Sequence, residues 1–148
     1  MADEAASVAR RWFREVWTER RRASIHELMA PGALGHSPTG VTHGPDEWVA
    51  VWERLTGAFP DLEVTVEDVV SDGRNAVVRW RLRMTHTGDH LGVPPTQQRI
   101  ETQGMTWMVV EGGRIVEGWD GWDATGALAA LGAAPGLAAA TPSRSASA

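Results

Sequence analysis

The sequence predicts an α+β fold in which helices pack on a curved antiparallel sheet. Apolar residues recur at helical spacing as far as Pro60, and at every second residue beyond it. Helices and strands do not alternate along the chain, which argues against the parallel sheet of an α/β protein. We therefore expect three N-terminal helices on a four-stranded antiparallel sheet, with a pocket enclosed between the two layers.

Helical periodicity places the three helices in the first part of the chain. The first covers residues 3–22, and a short second one begins at a Ser24–Glu27 capping box. Residues 33–43 are rich in glycine and proline and are expected to form a loop. The third helix covers residues 44–59 and carries an apolar stripe. That stripe consists of Trp48, Trp52, Leu55 and Phe59.

Alternation of apolar and polar residues predicts the sheet. The strands are expected at residues 62–70, 76–86, 99–111 and 114–123. Asp72-Gly73 and Gly112-Gly113 are typical hairpin turns. A short helix over residues 124–131 completes a single domain, predicted to span residues 1–132. Residues 133–148 are rich in Ala, Ser and Pro without periodicity, which favours a disordered tail.

Composition excludes several classes of protein and partner. The chain has no cysteine and a net charge of −5, so thiolate chemistry is impossible and a nucleic-acid partner is not expected. No run approaches the roughly 20 apolar residues of a membrane span. The acidic N-terminus does not resemble a secretory signal, and we expect a cytoplasmic protein.

No common catalytic motif is present. Dinucleotide-binding, P-loop, zinc-protease and serine-hydrolase signatures are all missing. His86 and His90 could bind a metal from one loop, but we expect a metal-free site. The eight tryptophans, against two phenylalanines and no tyrosine, could build a thick core or line a pocket for a flat ligand.

Asp120 is the most informative polar residue. It lies on an otherwise apolar strand face, whose other members are predicted to be Val116, Gly118 and Trp122. A carboxylate in such a place is either paired with a cation or has a raised pKa, and a raised pKa makes it a competent proton carrier. Pairing with Arg79 or Arg81 on a neighbouring strand is the alternative that spacing leaves open. Asp123 is expected to cap the last helix.

Two histidines and two pairs of tryptophans also have two interpretations each. His36 lies beside Gly35 in a predicted loop, and His86 lies where the second predicted strand passes into a loop, two residues before Gly88. Each either orders its loop or carries a second proton. Trp48 and Trp52 fit a core or a ligand wall. One member of the Trp107 and Trp119 pair is expected to face away from the pocket and to mark a dimer surface.

Two longer motifs resemble a known family. Residues 85–96 read Thr-His-Thr-Gly-Asp-His-Leu-Gly-Val-Pro-Pro-Thr, and residues 114–123 read Arg-Ile-Val-Glu-Gly-Trp-Asp-Gly-Trp-Asp. Together they resemble the SnoaL-like polyketide cyclases of the NTF2-like superfamily, and weaker similarities extend the match to residues 8–132. The resemblance implies a cone-shaped α+β fold, assembly as a homodimer or homotetramer, and no cofactor.

The resemblance also implies an activity and its residues. Members of the family close a ring of an aromatic polyketide by aldol condensation, and their catalytic aspartate falls on Asp120. Their helper histidine on the adjacent strand falls on Thr106. We expect Asp120, His86 and His36 to be catalytic, acting on a hydrophobic or aromatic small molecule. The expected substrate contacts are Trp48, Trp52, Thr106, Met105, Trp122 and Arg79.

Two other functions remain open at this stage. An epoxide-hydrolase-like or hydroxylation-assisting enzyme would combine Asp120 with Arg79 or Arg81 and with Glu101 as a second carboxylate. A non-catalytic protein would bind a hydrophobic small molecule and release it unchanged. The cyclase is the leading hypothesis.

Overall fold

The computed structural model describes residues 3–132. Its helices are α1 (Glu4–Arg11), α2 (Arg22–Leu28), α3 (Gly44–Ala58) and α4 (Ala124–Ala130), and a π-helical segment (Trp12–Thr18) continues α1. Its strands are β1 (Met29–Ser37), β2 (Gly40–His43), β3 (Glu63–Ser71), β4 (Asn75–Thr85), β5 (Arg99–Glu111) and β6 (Arg114–Gly121). The predicted tail, residues 133–148, lies outside the described residues.

The six strands form one mixed sheet in the order β2-β1-β6-β5-β4-β3. β1 runs parallel to β6, and the other neighbouring pairs are antiparallel. The helices pack on the inner face of this curved sheet and enclose the core with it. The α+β prediction is confirmed, and the four-stranded antiparallel sheet is corrected to a six-stranded mixed one.

The two unpredicted strands, β1 and β2, occupy the segment that was expected to be a loop. Its glycines and prolines conceal the strand pattern, because such residues are usually depleted from strands. Pro31 is tolerated because the pairing of β1 with β6 is irregular between Met29 and Leu34, and regular pairing begins only at Leu34. β2 lies at the edge of the sheet, where few ladder hydrogen bonds are required.

The beginning of α2 also differs from the prediction. No side-chain hydrogen bond caps this helix, so the predicted capping box is wrong. The Ser24 hydroxyl instead donates to Glu15 Oε1 at 2.6 Å. That bond connects α2 to the π-helical segment, and Ser24 therefore fixes how two helices meet. The expected cap of the last helix is confirmed, since Asp123 Oδ1 accepts the Gly126 N–H at 3.0 Å.

Candidate active site

An apolar pocket with a cavity volume of about 120 Å³ lies between the helices and the inner face of the sheet. The π-helical segment, α3 and strands from both halves of the sheet supply its walls. Aromatic side chains dominate these walls, and they are Trp12, Phe13, Trp17, Trp48, Trp80 and Trp122. The rings contact one another edge to face, with 4.9 Å between the centroids of Trp12 and Trp48. Such walls suit a flat, largely apolar molecule.

Asp120 lies on the pocket wall, on the inner face of β6. The pairing of β5 with β6 shifts register between Val109 and Val110, and the shift makes Val116 an extra residue in β6. As a result Ile115, rather than the predicted Val116, shares the pocket wall with Gly118 and Asp120. The bulge therefore determines which residues accompany the carboxylate.

A short relay of hydrogen bonds fixes the Asp120 carboxylate. Thr106 is the cross-strand partner of Asp120, and its hydroxyl donates to Asp120 Oδ1 at 2.5 Å. The indole Nε1 of Trp80 donates in turn to Thr106 Oγ1 at 3.0 Å. Because Trp80 occupies an acceptor position of the hydroxyl, the Thr106 proton is directed at Asp120.

Gly104 makes this relay possible. It lies opposite Trp80 in the β4–β5 ladder, and a Cβ atom at this position would come within 2.8 Å of the indole ring. The absence of a side chain lets the Trp80 ring lie over the backbone of β5 and reach Thr106. A glycine inside a strand often marks such a close approach.

The surroundings of Asp120 favour its neutral form. Burial raises the pKa of Asp120, and the Thr106 hydrogen bond opposes this rise in part. No ion pair to Asp120 is formed within residues 3–132. Arg79 and Arg81 bind Glu67, at 3.5 and 2.8 Å, and both are largely exposed. The alternative of a salt bridge between Asp120 and Arg79 or Arg81 is therefore wrong.

The structure places His86 in a loop anchor rather than beside Asp120. His86 is fully buried, its Nδ1 lies 3.0 Å from Thr96 Oγ1, and the same nitrogen accepts the Thr96 N–H at 3.2 Å. Its ring packs against Phe59, with 5.5 Å between centroids. This geometry supports the loop-ordering interpretation, in which His86 holds together the two ends of the segment between β4 and β5.

His36 lies at the pocket boundary, but its ring is held elsewhere. His36 Nε2 is 2.7 Å from Glu117 Oε2, and the ring stacks on Trp119 at 5.2 Å between centroids. Trp119 is an exposed residue of the outer face. No hydrogen bond joins His36 to the Asp120 relay among the described residues. The structure thus does not assemble the three predicted catalytic residues into one group.

Three of the six predicted substrate contacts line the pocket, namely Trp48, Thr106 and Trp122. Trp52 belongs to the core instead, where its Nε1 donates to the Val16 carbonyl at 3.2 Å. Met105 and Arg79 are corrected to the outer face of the sheet, where each is more than half exposed. Met105 precedes the inward-facing Thr106, and successive residues of a strand point to opposite faces.

The prediction that one of Trp107 and Trp119 faces outward also needs correction, because both do. They are directly opposite each other in the β5–β6 ladder, so their side chains share a face. Their ring centroids are 5.7 Å apart, and the rings are 51% and 38% exposed.

Comparison with known proteins places the chain in a family. The family model for SnoaL-like polyketide cyclases matches residues 7–131. The protein belongs to the SnoaL-like polyketide cyclase family.

Solved structures and a curated relative agree with this assignment. A candidate SnoaL-like polyketide cyclase from Jannaschia sp. CCS1 is 30% identical, with a TM-score of 0.78 over 89% of this chain and 94% of that one. IdmH, a candidate polyketide cyclase from Streptomyces antibioticus, is 31% identical, with a TM-score of 0.73 over 86% of this chain and 98% of that one. The fold is therefore the NTF2-like cone that the sequence predicted.

The curated relative is aklanonic acid methyl ester cyclase DauD of Streptomyces sp. (strain C5). It is 29% identical over 93 residues, which are 62% of this chain. The match covers 56% of the length of DauD, little more than half.

Several lining residues of this SnoaL-like protein were not identified from its sequence. Trp12, Phe13 and Trp17 fall within the first predicted helix and Trp80 within the second predicted strand, and none of the four was predicted to line the pocket. Gly104 was a usable signal for the close approach of Trp80. Thr42 lay in a segment predicted to be a loop, and no local pattern indicates that it lines the pocket.

The residues of the hydrolase alternative are not assembled in this family member. Glu101 is exposed and binds Arg99 at 3.4 Å, on the opposite face of the sheet from Asp120. No group of three or more His, Asp or Glu side chains within residues 3–132 is arranged to hold a metal ion. Over the same residues, every helix is too short or too polar to cross a membrane.

Proposed function

We propose that the protein is a cofactor-independent cyclase, which closes a ring of a polyketide-like small molecule with Asp120 as the general acid and base. The observation that supports this proposal is a carboxylate on the wall of an aromatic cavity that forms no ion pair with any of residues 3–132. Its raised pKa brings proton transfer closer to neutral pH. The Thr106 hydroxyl and the Trp80 indole hold it in one orientation.

The proposed reaction is an intramolecular aldol addition. Asp120 removes a proton from a carbon next to a carbonyl, and the C–H electron pair forms an enolate. The enolate carbon then bonds to a second carbonyl carbon of the same molecule, whose oxygen becomes an alkoxide. The proton on Asp120 returns to that alkoxide. The product is an isomer of the substrate, because no atom enters or leaves.

The size of the cavity limits how the substrate binds. An apolar protein cavity of about 150 Å³ holds one benzene molecule. The cavity of about 120 Å³ therefore encloses roughly one ring, and a larger substrate extends beyond it. Binding the substrate in the one conformation that holds the two reacting carbons close would supply part of the acceleration, since the enzyme then removes the entropy cost of reaching that conformation.

The outer face of the sheet supports an oligomer in the same proposal. Trp107 and Trp119 form an exposed aromatic pair there. Large exposed apolar side chains often mark an interface, and a homodimer or homotetramer would cover them. Light scattering of the wild type and of a Trp107→Arg variant measures this directly, and we expect the variant to have the lower mass.

Turnover of aklanonic acid methyl ester tests the reaction, since that compound appears in the name of the relative DauD. We expect a product of unchanged mass and altered chromatographic retention. Asp120→Asn should lower kcat by about 10²–10⁴-fold. Asp123→Asn is the matched control, because asparagine also caps a helix and Asp123 lies outside the pocket wall.

Two results would contradict the proposal. Full turnover by Asp120→Asn would remove the aspartate mechanism. The non-catalytic binding protein would be favoured if this ester and a panel of related polyketide esters all bound tightly and were all recovered unchanged.

A further inference from the structure

Four hydroxyl-bearing side chains line the pocket, and one of them differs from the others. Thr106 is bonded to Trp80 and Asp120. Ser37 and Thr39 are bonded to each other, with 3.1 Å between their oxygens. Thr42 Oγ1 is buried and has no hydrogen-bond partner among residues 3–132. Its residue is only 5% exposed.

The position of Thr42 places its hydroxyl at the wall of the pocket. Thr42 lies on β2 directly opposite Gly35 on β1, and both line the pocket. A Cβ atom at Gly35 would come within 2.6 Å of Thr42 Oγ1 and 3.7 Å of Trp48 Cδ1. The absence of a side chain at Gly35 therefore lets the Thr42 hydroxyl lie close against β1, beside the Trp48 indole.

An unpaired hydroxyl in this position is costly for the free protein. A buried polar group without a partner has lost the hydrogen bonds that water would supply, and a ligand oxygen placed there would remove that cost. Since a hydroxyl both donates and accepts, the ligand group can be a carbonyl or a hydroxyl. We infer that Thr42 is a second polar anchor, which binds an oxygen function of the ligand remote from its reacting carbon.

The register of the sheet determines how far this anchor is from Asp120. Thr42 is opposite Gly35, which is opposite Gly118, two residues before Asp120 on β6. Strands are about 4.8 Å apart and rise about 3.3 Å per residue, so the two attachment points are roughly 10–12 Å apart along the sheet. Both side chains lie on the concave inner face, where the side chains of a curved sheet converge, so we expect the gap between the hydroxyl and the carboxylate to be shorter than that.

This inference rests on the proposed function and narrows its substrate class. The ligand would carry an acidic C–H beside a carbonyl at the Asp120 end. It would carry a second oxygen substituent at the opposite end of a flat ring system that packs against Trp48. Apolar molecules that lack the second oxygen would leave Thr42 unpaired and bind less tightly.

A pair of small ketones tests the anchor. The first probe is a methyl naphthyl ketone with a hydroxyl on the ring far from the ketone, and the second is the same ketone without that hydroxyl. Calorimetry should show that the wild type binds the hydroxylated probe about 2–10-fold more tightly, as expected for one net hydrogen bond. Thr42→Val should bring the ratio of the two dissociation constants to about 1, whereas Thr42→Ser should preserve it.

A second variant covers the possibility that Thr42→Val perturbs folding. Gly35→Ala retains the hydroxyl, but the added methyl group would collide with it and displace it, so this variant should also reduce the discrimination between the probes. Thermal unfolding of each variant verifies that it is folded at the temperature of titration. The wild-type ratio persisting in folded Thr42→Val, or no preference in the wild type, would overturn the inference.

Exchange of the ketone methyl protons in heavy water separates this inference from the proposed function. Asp120→Asn should lose the exchange and retain the preference for the hydroxylated probe. If the preference for the hydroxylated probe depends on Thr42 but the wild type shows no exchange, the anchor is supported and Asp120 is not the catalytic base. If the wild type shows exchange but Thr42→Val leaves the ratio of the two dissociation constants unchanged, the base is supported and the anchor is wrong.

Discussion

Glu15 and Asp120 are both removed from bulk solvent, and their surroundings shift the pKa values of the two carboxyl groups in opposite directions. Glu15 is 7% exposed and accepts hydrogen bonds from Arg11 at 2.8 Å and from Ser24 at 2.6 Å. It also forms ion pairs with Arg14 and Arg21. Arg11, Ser24 and Arg21 lower its pKa to about 2, with the Arg11 hydrogen bond as the largest cause.

Asp120 has a hydroxyl for a partner where Glu15 has guanidinium groups. Burial raises its pKa, and the Thr106 hydrogen bond compensates only in part. The difference shows what each acid can do. A carboxylate saturated by cations holds helices together and cannot exchange its proton near neutral pH, whereas an unsaturated one costs stability and is available for proton transfer.

Replacement of Asp120 by asparagine should have the largest effect, which is a loss of activity without a loss of stability. We expect kcat/KM to fall by about 10²–10⁴-fold. Stability at neutral pH should be unchanged or higher. Folding raises the pKa of Asp120 above its value in the unfolded chain. The folded state therefore loses stability as the pH rises from the unfolded pKa to the folded pKa, and the ionised aspartate destabilises the protein at pH 7. Urea unfolding at pH 7 measures the free energy of unfolding of Asp120→Asn. A loss of more than about 1 kcal/mol relative to the wild type would contradict the view that the ionised Asp120 destabilises the protein.

Replacement of Glu15 by glutamine should have the opposite profile. The variant leaves Arg11 and Arg21 with weaker partners, and we expect a loss of about 1–3 kcal/mol in the free energy of unfolding. The guanidinium groups are about half exposed, which limits the effect. Activity per folded molecule should stay within about twofold. Glu19→Gln is the control, because the Glu19 side chain is 49% exposed and its ion pair with Arg14 is long, at 3.8 Å.

The pH dependence of stability should identify Glu15 as the source of this term. A pKa lowered by folding gives a contribution that is fully present above the ordinary value of 4.5 and is lost as pH falls toward about 2. The difference in unfolding free energy between wild type and Glu15→Gln should therefore shrink between pH 5 and pH 2. A constant difference over that window would mean that packing, rather than charge, is responsible.

Replacement of Thr106 by valine tests how the Thr106 hydroxyl controls the pKa of Asp120. The Thr106 hydrogen bond favours the charged form, so its removal should raise the pKa of Asp120 further. A general base works above its pKa, and the acid limb of kcat/KM should move to higher pH with a modest fall in its plateau. Thr106→Ser should restore the limb. A limb that does not move would separate Thr106 from the catalytic carboxylate.

The sequence was informative where periodicity was strong and where one residue type has one physical meaning. The strands β3 to β6 lie within a few residues of their predicted positions, and Asp120 was placed on the inner face of β6. The sequence could not decide whether the Asp120 carboxylate forms an ion pair. The answer depends on whether Arg79 on β4 and Asp120 on β6 point to the same face of the sheet, and the registers of two strand pairs, β4–β5 and β5–β6, separate them. The bulge at Val116 also changes which residues of β6 face inward.

The misplaced residues have a common cause. Met105 and Arg79 were assigned to the pocket although they lie on the outer face, and Thr42 was missed because its strand contains glycines that resemble a loop. His86 is a buried loop anchor whose role depends on Thr96, ten residues later in the chain. Facing and long-range partners arise from three-dimensional register, and single-sequence patterns carry little information about it.

Replacement of His36 by asparagine should give the smallest effect. The His36 ring is bonded to Glu117 and stacked on the outer-face Trp119, so it is held away from the Asp120 relay. Since no step of the proposed mechanism uses it, we expect kcat/KM to change by less than about threefold and the acid limb to stay in place. Glu117→Gln, which alters the same partly buried pair, should behave alike. A fall of more than tenfold in His36→Asn, or a lost limb, would mean that the imidazole turns into the pocket when substrate binds, and a crystal structure with the naphthyl ketone bound would then show it hydrogen-bonded to the ligand.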